Sequence, residues 1–164
     1  MMRQTAGFGV LCALILTALV AEGWAMTARE APALRFEAMD LFVDSGRKPL
    51  VAYQVELRFD AAHVGIVGVE GGTADAFRDP PFFDEEGMEG GRLVLAAFTT
   101  DHRRAPKGRS HVARIHLRIT GPEEPAIDAT LMTAASPGGA KIKANVELVL
   151  FDKEQQREAP EGER

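Results

Sequence analysis

Carboxylates crowd one stretch of the chain: Asp79, Asp84, Glu85, Glu86 and Glu89 lie close together, and Asp101 follows. Two chemistries use such groups. Glycoside hydrolysis needs a pair of acids about 5–10 Å apart across a sugar cleft. A hard cation such as calcium needs several oxygens on a flexible loop. The second fits better, with Asp79, Asp84 and Asp101 as candidate ligands beside backbone carbonyls. No D-x-D-x-D-G spacing is present, however, so the default is a solvated acidic loop with no metal and no cofactor, calcium being the alternative.

Nucleophilic catalysis finds less support. Ser45, Ser110 and Ser136 all sit in turn-like segments, and none lies in G-x-S-x-G. Ser110 adjoins His111, but neighbours in a strand face opposite ways. His63, His102, His111 and His116 show no ligand spacing on one element that would suit zinc. The expectation is a protein that is not an enzyme.

Binding residues are the remaining candidates. Arg114, His116 and Arg118 alternate in HVARIHLRI and form a basic row, for which cross-strand ion pairing is the plain account and anion binding the other. The stretch FRDPPFFD (77–84) sets Phe77, Phe82 and Phe83 around two prolines, which forbid a helix interior or a central strand. It reads as a loop. Either its rings plug an open end of the core, the favoured reading, or one ring of Phe82 and Phe83 also stays outside to meet a partner.

The elements that must position these residues have a period of two. LVAYQVELRF (50–59) puts Val51, Tyr53, Val55, Leu57 and Phe59 on one face and Gln54, Glu56 and Arg58 on the other. HVARIHLRI (111–119) turns Ala113, Ile115, Leu117 and Ile119 inward, and His111 shares their parity. KIKANVELVLF (141–151) repeats the pattern with Ile142, Ala144, Val146, Leu148 and Leu150. Such alternation marks strands with one dry and one wet face. Less regular apolar segments at 33–43, 64–69, 92–100 and 126–134 are separated by glycine and proline turns. The expectation is an all-β antiparallel two-sheet β-sandwich of seven to nine strands.

The ends read differently. Residues 1–25 carry one cation, Arg3, an apolar run from Phe8 to Ala21, and Gly23 and Ala25 at the −3 and −1 positions of a cleavage site. This is the layout of a secretory signal peptide. The run of about 14 residues is short for a bilayer span of about 20, so no stable membrane span follows cleavage; a retained anchor is the alternative. The expected location is secreted, extracellular or periplasmic. Cys12 and Trp24, the only residues of their types, both fall in this leader, so the exported chain has no disulfide and relies on core burial. Removing Arg3 and Glu22 leaves the net charge at −5, which argues against a nucleic-acid partner. Residues 152–164 (DKEQQREAPEGER) are almost wholly polar and are expected to form a disordered charged tail.

One set of motifs is more specific. A strand enters the corner Phe59-Asp60-Ala61-Ala62-His63-Val64, and the next closes at Gly71-Gly72. The turn Pro106-Lys107-Gly108 leads into the strand Val112 to Ile119, and SPGG leads into KIKANVEL. Over residues 34–151 the chain resembles the cohesin domain and its relatives in the carbohydrate-binding-module-like sandwich superfamily. The resemblance implies a jelly-roll-like sandwich that binds a protein partner, a dockerin-like module, dockerins being small calcium-loaded modules on secreted carbohydrate-active enzymes. It also implies that the strand beside 111–119 carries Gln54, Glu56 and Arg58 on the same face. Polysaccharide is the alternative ligand, although the exported chain lacks Trp and its one Tyr, Tyr53, has inward parity. A subunit of a surface assembly is a third reading.

Overall fold

Eight strands form two four-stranded antiparallel sheets in the computed structural model, which describes residues 33–151. They are β1 (Leu34–Asp44), β2 (Ala52–Phe59), β3 (Val64–Gly71), β4 (Phe82–Phe83), β5 (Arg92–Phe98), β6 (Arg109–Thr120), β7 (Ile127–Ala135) and β8 (Asn145–Leu150). One sheet runs β3-β6-β1-β8 and the other β4-β5-β2-β7. Two 3₁₀ turns, Asp75–Phe77 and Glu85–Met88, are the only helical segments among the described residues. The expectations of a signal peptide over 1–25 and a charged tail over 152–164 lie outside the described residues.

Alternation produces this layering. Tyr53, Val55 and Leu57 of β2 and Leu93 and Leu95 of β5 meet Leu41 and Val43 of β1 and Ile115, Leu117 and Ile119 of β6, all buried in one core. Each such side chain contributes about 1.5–3 kcal/mol on burial, so the sandwich holds without a cross-link. Burial raises the Tyr53 phenol above its usual range, and its hydroxyl donates to Val112 O at 3.2 Å.

Strand order departs from the expectation. β6 lies between β3 and β1, whereas β2, with Gln54, Glu56 and Arg58, belongs to the other sheet. Period two gives the face of a side chain but not the neighbour of its strand. A second difference lies in the last segment. After a turn with left-handed Gly138 and Gly139, Ile142 still bonds β7 through Ala134 O, and only from Asn145 does the chain join β1. The segment 141–151 is thus shared between two sheets, and its inward residues are half-buried, with Leu150 exposed.

The third difference concerns His111. The β1–β6 ladder slips between Leu41 and Phe42, leaving Val112 and Ala113 both buried at 0% exposure. An extra residue of this kind reverses the parity beyond it. His111 therefore joins the outer face, where its ring lies 5.2 Å from that of Phe42.

The Pro80-Pro81 segment is not wholly a loop. Phe82 and Phe83 form β4 and pair with Ala96 and Leu95 at the sheet edge, where a preceding proline is tolerated. Phe77 is buried and meets Tyr53 edge-on at 5.2 Å, closing the end of the sandwich. Gly71 and Gly72 permit the closure. A Cβ at Gly71 would stand 1.9 Å from Arg78 O, and one at Gly72 2.1 Å from His111 O. Only glycine allows backbones to approach so closely.

Candidate functional site

The outer wall of the β4-β5-β2-β7 sheet carries the exposed rings. Leu93, Leu95 and Ala97 of β5 turn inward, which leaves Arg92, Val94, Ala96 and Phe98 facing out. Phe82 stands beside Ala96, and its ring stacks on that of Phe98 at 6.1 Å with planes 13° apart. The two are 69% and 62% exposed. Phe83 turns the other way and packs against the core. The loop is thus a plug with one ring outside, the less favoured of the two readings drawn from sequence. Phe98 escaped that reading, although its parity, opposite to that of inward Leu93 and Leu95, marks it.

The same wall holds an ionic cluster. Glu56 Oε1 accepts from Arg58 Nε at 2.6 Å, and Oε2 accepts from Arg92 Nε at 2.6 Å. These bonds, that of Arg58 first, hold the Glu56 carboxyl below its ordinary value against the opposing effect of desolvation.

The basic row faces outward from the opposite wall, and each member meets its own acid. Arg114 binds Asp40 of β1 through two nitrogens, at 2.6 and 3.1 Å, and its guanidinium lies 3.6 Å over the Phe151 ring. Asp40 raises the Arg114 pKa further above its already high value. His116 Nε2 lies 3.1 Å from Glu70 Oε1, too poorly aligned for a hydrogen bond, and its ring rests over Gly68. Arg118 reaches across Gly65 to both oxygens of Glu89, at 3.0 and 2.8 Å. Cross-strand pairing describes the row, with partners from β1, β3 and the 84–91 loop instead of β2. A depression of about 530 Å³ lies between Phe36, Ala38, Glu70, His116 and Phe151 on this wall.

His111 is fixed among these groups. Its Nδ1 accepts from Thr73 N–H at 3.1 Å, which places the proton on Nε2, donated to Ala113 O at 2.9 Å with Asp40 Oδ1 at 3.3 Å. Ser110 is buried on the other side of the strand. Ser45 and Ser136 donate to Lys48 O and Ala140 O, the expected turn roles.

The calcium candidates are not brought together. Asp84 caps a 3₁₀ turn by accepting from Glu86 N–H at 3.1 Å. Asp101 accepts from Arg103 N–H and pairs with Arg103 and Arg104. Asp79 is exposed in the Pro-Pro segment. Among the described residues, no group of three or more acidic, His or Cys side chains is arranged to hold a metal.

Comparison with known proteins places the architecture. No family model matches the chain, and no curated protein matches it significantly. Solved structures do. A complex of the CaCohA2 cohesin of Clostridium acetobutylicum with a dockerin superposes with a TM-score of 0.53 at 13% identity, covering 66% of this chain and 82% of that one. The OlpA cohesin complex from Clostridium thermocellum, described as a type I cohesin–dockerin pair, gives 0.53 at 8% identity with the same coverage. The third ScaC cohesin of Acetivibrio cellulolyticus, bound to the ScaB dockerin, gives 0.52 at 14% identity and covers 69% and 82%. The likeness is one of fold: this chain is a cohesin-like β-sandwich.

Proposed function

We propose that this domain is a non-enzymatic protein-binding module, secreted or displayed at the cell surface, that receives a dockerin-like partner on the outer wall of β4-β5-β2-β7. The stacked, exposed pair Phe82 and Phe98 carries the reading. Aromatic side chains left in water beside small residues such as Ala96 gain most from burial by a partner, and interface anchors are of this kind. The prolines before β4 stiffen the approach to Phe82, which lowers the ordering cost of binding. The cohesin-like fold supports a protein partner, since the superposed structures are cohesins in complex with dockerins. The leader-like residues 1–25 support export, with Met26 as the first residue of the mature chain.

Isothermal titration of the purified protein against a panel of calcium-loaded dockerins tests this. Binding is expected to weaken by about 2 kcal/mol or more on Phe82→Ala or Phe98→Ala. Binding unchanged by both substitutions would remove the wall from the interface. Retardation in polysaccharide gels, lost on Phe82→Ala, would move the assignment to carbohydrate. Self-association in light scattering without a dockerin response would move it to a surface assembly.

A further inference from the structure

Arg58 and Arg92 stand directly opposite each other across the β2–β5 ladder, on the same outer wall as Phe82 and Phe98. Like charges in that position destabilise a sheet. Glu56 lies between them and engages both, and its side chain is only 11% exposed while theirs are 65% and 54% exposed. One carboxylate therefore serves two cations, and the trio carries a net charge of about +1 in a chain whose total is −5. Glu56 uses only Nε of Arg58, and Nε and one terminal nitrogen of Arg92. Among the described residues, both terminal nitrogens of Arg58 and one of Arg92 meet no other protein acceptor. Asp128 faces Arg58 across the β2–β7 ladder, yet forms no ion pair with it.

We propose that Arg58 and Arg92 form a carboxylate-binding site for an acidic segment of the protein partner, an inference that rests on reading this wall as the binding face. The guanidinium fork matches a carboxylate, and the bonds to Glu56 already fix both side chains, so little ordering remains when the anion arrives. A single negative charge matches the surplus of the trio. A doubly charged phosphate would leave excess negative charge beside Glu56. The wall also sets a spacing. Arg92, Val94, Ala96 and Phe98 lie along one face of β5, so the cationic end is about 20 Å from the Phe98 ring at the rise of an extended strand. The acidic segment therefore carries an apolar side chain at a comparable distance from its carboxylate.

Arginine side-chain NMR on the purified protein tests the site with small probes. The α-amide of N-acetyl-glutamate, which carries a single carboxylate, is expected to shift the Nε resonances of Arg58 and Arg92 saturably, the uncharged α-amide of N-acetyl-glutamine to leave them unmoved, and inorganic phosphate to bind more weakly. Arg103 and Arg104, exposed beside Asp101, provide the internal comparison. Arg92→Gln is expected to weaken the glutamate response about tenfold, in keeping with the loss of one charge-assisted hydrogen bond. Equal shifts at Arg103 and Arg104, an equal response to the α-amide of N-acetyl-glutamine, phosphate binding as tight as that of the glutamate amide, or no saturation would each overturn the proposal. These probes touch neither Phe82 nor Phe98, so failure here is separable from failure of the aromatic wall as an interface.

Discussion

Arg114 grips both carboxylate oxygens of Asp40 across the β1–β6 ladder, with the His111 Nε2 3.3 Å from one of them. The two ion-pair partners are 19% and 16% exposed, so water screens them little. Asp40→Asn keeps the shape and removes the charge. It is expected to cost about 1.5–3 kcal/mol, the range for a hydrogen bond to a charged group. Urea denaturation reads this directly. Adding Arg114→Met is expected to recover part of the loss, because the uncompensated cation goes with it. A single-variant loss within the scatter of surface substitutions would show the pair to be idle.

Phe77, in a 3₁₀ turn, and Phe82, in β4, lie five positions apart and have unequal stability consequences. Phe77→Ala empties the buried end of the core against Tyr53 and is expected to cost about 3–5 kcal/mol. Phe82→Ala removes an exposed ring and is expected to stay within about 0.5 kcal/mol. Paired thermal melts of the two variants check the contrast. Comparable losses would mean that the exposed ring is a core element in solution.

The acid limb of the stability curve depends in part on Glu56. Its folded pKa lies below its unfolded value near 4.5, chiefly through the hydrogen bond from Arg58. Such a group contributes stability that is fully present above the unfolded value and is lost as pH falls through the lower folded one. Glu56→Gln is therefore expected to flatten the fall in stability below pH 4.5. Chemical denaturation at several pH values, wild type against variant, measures the difference. Parallel curves would mean that the two arginines leave Glu56 unperturbed.

Gly71→Ala places a methyl group where Arg78 O already stands, and neither backbone segment has a flexible end to give way. The expected cost is about 1–3 kcal/mol, as for overpacking. Loss of near-ultraviolet signal from Tyr53, which touches Phe77, reports whether the plug opens. Gly138→Ala is the counterpart with open space around it, where only the left-handed backbone resists substitution.

The layers of this molecule were legible because β2, and β6 from Ala113 to Ile119, alternate apolar with polar residues, and Tyr53 and Ile115 fall inward as their parity demands. What period two does not contain is the identity of the neighbouring strand. The acid that serves Arg114 lies 74 positions earlier in the chain, and nothing local to HVARIHLRI points to it. His111 was misplaced for another reason: the bulge that turns it outward involves Val112 and Ala113, with no glycine or proline to announce it. The wall bearing Phe82 was half legible. Its ring stood out beside two prolines, but its companion Phe98 is recognised only when β4 is laid against β5. Glu56 looked like one of many surface acids until Arg92 arrived from across the ladder.

The first and last strands meet in one ladder, with Leu150 beside Met39, so the described chain enters and leaves at the same end of that sheet. Tension applied to both flanks would load the β8–β1 bonds singly, from Leu150 toward Asn145, instead of sharing the force among them. The domain is thus built to peel like a zip when tugged, and any tether that must bear load is best joined through a single flank.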